Sequence, residues 1–185
     1  MMEGVKPLAL AIASIVGHGG IAEQVEAPYL TYEIECLAPD GSVRWKETFR
    51  NLVTTAGKND LLTQYFKGSA YTAAWFVGLI DNAGFSAIAA GDTAASHSGW
   101  TESTAYSNGT RPSLTLGTAS AASIDNSASK ASYSINATAT INGAFTITNS
   151  TKGGTSGTLY SAGSFGAARS VISGDTLNVQ VTLTA

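Results

Sequence analysis

The sequence predicts a mainly β chain: an antiparallel, jelly-roll-like β-sandwich with one short helix and an extended N-terminal arm. Three observations carry this reading. From Arg111 onward the chain is built almost wholly of Thr, Ser, Ala, Gly, Asn and β-branched residues in short alternating runs, the pattern of strands with one covered face. Residues 31–36 set Tyr32, Ile34 and Cys36 against Thr31, Glu33 and Glu35, the period of two that points successive side chains to opposite faces. Charged residues make up only 12% against 44% apolar, and Ser and Thr take the share that Lys and Glu usually fill. Hydroxyls are cheaper than charges to cover at a subunit contact, so the surface suits assembly.

The 185 residues fit one domain, placed at 28–185 behind an arm at 1–27. Within the arm, Pro7 to Val16 read PLALAIASIV, shorter than the roughly 20 apolar residues that cross a bilayer. The run lacks the basic flank and the small-residue cleavage site of a secretion signal. It is therefore expected to be retained, with Leu8, Leu10, Ile12 and Ile15 docking on a neighbouring subunit and the Gly-rich residues 17–20 as a hinge. Residues 28–50 then form a hairpin around Pro39-Asp40-Gly41, which supplies the fixed φ, the side-chain acceptor and the positive φ of a tight turn. A short helix is expected at about 55–67. Thr55 serves as its N-cap, Gly68 as its stop, and Leu61, Leu62, Tyr65 and Phe66 form one face that plugs a sheet end.

Residues 71–80, YTAAWFVGLI, are almost free of polar groups and predict a central strand covered on both faces. The glycine-punctuated stretch 81–112 follows as a long ordered loop, and loops of that length in a compact domain usually carry a contact surface. Phe85, Ile88, Trp100 and Tyr106 are its apolar anchors. Beyond it, Ile141-Asn142-Gly143-Ala144 predicts a tight Asn-Gly hairpin, and Ser173-Gly174-Asp175-Thr176 a turn. Leu177, Val179, Val181 and Leu183 form one face of the last strand.

Chemistry is weakly signalled. Asp92, His97 and Glu102 are close in sequence, but a metal centre needs three or four convergent ligands, and the second histidine, His18, lies in the arm. Asp92 and Asp175 each follow a glycine and are expected to accept from backbone amides two residues on. Gly57-Lys58 lacks the remainder of a phosphate-binding loop, and no serine sits in a nucleophile elbow. Cys36 is the sole cysteine and reads as a small buried hydrophobe. Trp75, Trp100, Tyr71 and Tyr106 are candidates for a sugar platform, although packing is the commoner use of such residues. No cofactor, metal or catalytic residue is expected. A net charge of −3 with scattered Lys and Arg disfavours nucleic acid as a partner, and no membrane association is expected.

Several blocks together resemble a family of small virion structural proteins of tailed bacteriophages. They are TTAGKNDLL at 54–62, YFKGSAYTAAWFVGLI at 65–80, AGDTAASHSGWTE at 90–102, ATATINGAF at 137–145 and SGDTLNVQVTLTA at 173–185. Residues 1–50 have no part in the resemblance. It implies a capsid decoration, or cement, protein on the phage particle, assembled in the host cytoplasm as a homo-oligomer that clamps the major capsid protein or other virion proteins. Under that expectation Phe85, Ile88, His97, Trp100 and Tyr106 serve packing or interface. Two rival readings are a tail-associated or fibre-base protein whose loop 81–112 binds a host glycan, and a hydrolase of surface polymers.

Overall fold

The computed structural model describes residues 28–67 and 74–184. The arm, with Leu8, Leu10, Ile12 and Ile15, lies outside the described residues, as do Gly68 and Tyr71. The described chain is mainly β, with two five-stranded antiparallel sheets and one helix.

The first sheet begins with the expected hairpin, β1 (Tyr29–Leu37) and β2 (Val43–Arg50). Its turn is closed by Gly41 at φ +83° and by Asp40, whose carboxylate accepts from the Ser42 amide at 2.9 Å. The C-terminal strand β10 (Thr176–Thr184) pairs along the whole of β1, from Tyr29 opposite Thr184 to Leu37 opposite Thr176. β6 (Ser123–Asp125) and β7 (Ala131–Ser134) pair with the other edge of β10. The second sheet runs β3 (Leu52–Val53), β9 (Leu159–Val171), β8 (Ala139–Ile147), β4 (Phe76–Asp81), β5 (Glu102–Ser103). These sheet orders are compatible with a jelly roll.

The sheets share one core. Tyr32, Ile34 and Cys36 on β1 and Leu177, Val179 and Val181 on β10 are all at most 1% exposed and meet Val77, Leu79, Ile141 and Phe165 of the other sheet. The expected alternation of both strands is thus observed. Two tyrosines cross the gap: the Tyr133 hydroxyl donates to the Val77 carbonyl at 2.7 Å, and the Tyr32 hydroxyl lies 2.9 Å from Ser161 Oγ. Burial pushes the Tyr32 phenol up to about 12, against the easing effect of the Ser161 and Thr146 hydroxyls. The phenol therefore stays protonated and able to donate.

The second sheet is covered on its outer side too. Ile80, Phe145, Ile147, Leu159 and Ala162 form a second cluster with Ala94 and Trp100 of the loop 82–101. β4 is therefore buried on both faces, as its unbroken apolar run predicts, and the strand starts at Phe76, after Ala74 and Trp75. Gly78 is required where the ring of Phe145 lies across the β4 backbone, because an added Cβ would sit 2.1 Å from Phe145 Cζ.

The Asn142-Gly143 hairpin is not formed. Both residues lie inside β8, and neither has the positive φ that such a turn needs. Ile141 and Ala144 both face the shared core, an odd spacing that strict alternation forbids. The register accordingly slips between Ile141 and Gly143, a bulge that restores the facing. Gly143 is needed there because a Cβ would come within 2.0 Å of the Gly163 carbonyl. Similarly, the sequence reads 157–165 and 169–172 as two short strands, whereas Leu159–Val171 form one 13-residue strand, β9.

Asp175 closes the turn before β10, with Gly174 at φ +96°. Its carboxylate reaches back to the Ile172 amide at 3.0 Å, not two residues forward, and also takes Arg44 Nε at 2.8 Å and the Cys36 thiol at 3.5 Å. Burial opposes its ionisation, but these donors outweigh burial and hold the carboxyl below its ordinary range. The Cys36 thiol is pushed up to about 12 by burial and then by the Asp175 charge.

Two outcomes follow from this packing. Gly78→Ala should lower unfolding free energy by about 1–3 kcal/mol through overpacking, read as a lower denaturant midpoint. Asp175→Asn should cost about 2 kcal/mol at pH 7 from hydrogen bonds lost to a charged acceptor. Because the folded-state pKa is depressed, this contribution is complete above the unfolded value near 3.9 and is lost as pH falls through the folded value. The gap between the parent chain and Asp175→Asn in denaturant titrations should be full at neutral pH and narrow below about pH 4.

Candidate functional site

The helix α1 (Thr55–Phe66) does not plug the sandwich. It starts one residue earlier than expected, on Thr54, whose side chain accepts from the Gly57 amide at 3.0 Å and donates to the Leu159 carbonyl. Gly57 is the helix's one buried residue, seated against the β9 backbone where a Cβ would meet the Tyr160 carbonyl at 2.3 Å. The contact is thus made by a backbone and a cap at the first turn. The expected packing face is largely uncovered instead: Leu62 is 54% exposed, Tyr65 78% and Phe66 74%, while Leu61 and the edge of Tyr65 border the sandwich without closing on it.

Because the helix is tethered by that turn, a cleft opens between its length and the sandwich. This apolar groove of about 310 Å³ is walled by Leu61 and Tyr65 of the helix and by Trp75, Leu114, Leu116 and Tyr160, with Leu30 of β1 and Leu183 of β10 among the remaining lining residues. Trp75 stacks edgewise on Tyr160 at 5.4 Å. Gln64, on the helix wall, donates to Asp60 at 3.3 Å, while its buried Oε1 has no hydrogen-bond partner among the described residues.

The loop 82–112 shows where the other candidate residues lie. Phe85 and Ile88 pack half-buried on the outer cluster. His97 stacks on Trp100 at 3.9 Å, with Nδ1 2.9 Å from the Trp100 carbonyl oxygen. Trp100 is 3% exposed and donates its indole N–H to Asp92 at 2.9 Å, while Asp92 also accepts from the Ala89 amide three residues back. Tyr106 is 1% exposed in the shared core, edge-on to Tyr133. Phe85, Ile88, His97 and Trp100 therefore come together and Tyr106 does not. Trp100 and Tyr106 serve packing and offer no surface for an interface. Trp75, Trp100 and Tyr106 also belong to three separate ring contacts rather than one platform. Among the described residues, no three His, Cys, Asp or Glu converge as metal ligands, and no helix is long and apolar enough to cross a membrane.

Glu102 belongs to a buried clamp that the sequence does not signal. Arg111 donates to both Glu102 oxygens at 2.8 and 2.7 Å, to the Asn149 carbonyl at 2.8 Å and to the Gly154 carbonyl at 2.9 Å. Glu102 also accepts from the Gly153 amide at 2.7 Å. Lys152 donates to the Tyr106 and Asn108 carbonyls at 2.8 and 3.0 Å. Together these bonds fasten the loop ending at Pro112 to the β8–β9 connection, satisfying charges that would be costly alone.

No family model matches the chain, and no curated protein or solved structure matches it. The candidate surface is thus defined by its geometry: the exposed side of α1 and the groove beneath it.

Removing one member of the clamp leaves the other buried and unpaired. Arg111→Ala should cost about 3–5 kcal/mol of stability, seen in equilibrium unfolding, with faster amide exchange in residues 102–112 and 149–154.

Proposed function

We propose that this chain is a capsid decoration protein of a tailed bacteriophage, which binds and stabilises the shell of major capsid protein. The observation that carries the reading is the uncovered apolar side of α1. Leu62, Tyr65 and Phe66 project from a domain with a charge-poor surface, and Tyr65 and Phe66 form an edge-to-face pair 5.0 Å apart. Aromatic residues of this kind act as anchors at protein interfaces. The sequence blocks that resemble small virion proteins include this helix.

Such a protein strengthens a shell by adding contact area that must be re-exposed before the shell opens, so that binding stabilises the closed state by mass action. Tyr65 and Phe66 would seat in the capsid partner, and self-association around the particle would multiply the effect through avidity. A host-glycan loop has less support, since the rings of Trp100 and Tyr106 are buried. A glycan hydrolase has less support as well: the Asp92 and Glu102 carboxylates are engaged by Trp100 and Arg111.

Particles assembled without the chain should lose heat and low-salt resistance and regain it when the purified protein is added. Tyr65→Ser/Phe66→Ser should weaken retention on such shells by roughly tenfold or more, measured by co-sedimentation. Shells of normal robustness that fail to adsorb to cells would overturn the capsid assignment in favour of the tail.

A further inference from the structure

The groove beneath α1 exposes an apolar lining that a folded chain ordinarily covers. We propose that its occupant is the apolar run at residues 7–16 of the same chain. This inference stands apart from the particle role and departs from the expectation that the arm docks on a neighbouring subunit.

Three observations support it. First, the described chain enters the sandwich at Tyr29, and the next residue, Leu30, lines the groove. Only residues 17–28 separate the apolar run from that point, a linker whose root-mean-square span is about 19 Å if flexible. Such a tether holds its cargo at millimolar effective concentration, which a second copy matches only in concentrated solution. Secondly, the chemistry is complementary. Leu8, Leu10 and Ile12 recur at every second position, so an extended backbone would present all three to one wall. A cavity of about 310 Å³ has room for a few aliphatic side chains and too little for a folded partner domain. Thirdly, Gln64 Oε1 is buried without a hydrogen-bond partner among the described residues. A peptide brings backbone N–H donors that satisfy it, which a lipid chain does not.

The test uses the full-length chain with two engineered cysteines, Leu10→Cys and Leu116→Cys. Leu116 lies in the groove wall and is only partly buried, while native Cys36 is buried and stays out of exchange. Under mild oxidation the pair should close an intramolecular disulfide, seen as a faster-migrating band of monomer mass. It should form roughly tenfold or more faster than the control pair Leu10→Cys/Val43→Cys, whose exposed Val43 is not among the groove's lining residues. Equal rates for the two pairs would show an arm without a fixed seat and overturn the proposal. Disulfide-linked dimers from the Leu116 pair would overturn it in favour of a second copy. As a measurement independent of the cysteines, Leu10→Asp/Ile12→Asp in the full-length chain should raise the fluorescence of an apolar dye several-fold, while Leu10→Met/Ile12→Leu stays at the parent level. Dye binding by the parent chain equal to that of the Asp variant would also overturn it.

Discussion

The spacing of the two sheets is set by buried phenols. Tyr32 and Tyr133 reach from one sheet into the other, and each must find an oxygen partner across the core or strand a hydroxyl in an apolar interior. Tyr133 finds the Val77 carbonyl and Tyr32 finds Ser161, which in turn lies 2.7 Å from Thr146 Oγ1. Aliphatic contacts alone tolerate sliding, whereas these bonds hold in one register and so fix which residues of β4 and β9 face β1 and β7. The bulge at Asn142-Gly143 and the turn at Asp175 both serve that register: one corrects the facing of β8, the other delivers β10 beside β1.

The second sheet then needs a cover on its far side, and the loop after β4 provides it. Trp100 is the centre of that cover, held by Asp92, His97 and Phe145. The Glu102–Arg111 clamp ends the loop. A charged pair at this depth adds little over a well-packed apolar pair in stability, but its directional bonds specify one loop path. The consequence for function is a division of labour: the loop is consumed by packing, and α1 is left as the element facing outward.

What the sequence made legible follows local physics. The β1–β2 hairpin was readable because a period of two and a Pro-Asp-Gly turn agree, and β10 because Leu177, Val179 and Val181 alternate without interruption. Asn142-Gly143 misled because a strong turn signature was overridden by tertiary pairing, and β9 was read as two runs because Gly166-Ala167-Ala168, inside the strand, carry no side chain that marks one. The helix was found from its cap and spacing, but not its orientation. Apolar residues at Leu62, Tyr65 and Phe66 imply a covered face only if the partner lies within the chain, whereas a glycine contact at Gly57 leaves no periodic trace. Arg111 and Glu102 were hidden for a similar reason: the carbonyls that complete their clamp come from residues 149–154, and their placement depends on the whole fold.

The pairing of β1 with β10 has a bearing on how the molecule is made. The first strand of the described sandwich can complete its ladder only with the last, so the ring of contacts stays open while everything between is being synthesised. Long-range antiparallel pairing of this kind makes folding slow, since chain closure precedes the contacts that reward it. On the ribosome, Tyr32, Ile34 and Cys36 wait uncovered until β10 leaves the exit tunnel. Until that pairing forms, these apolar side chains stay open to aggregation.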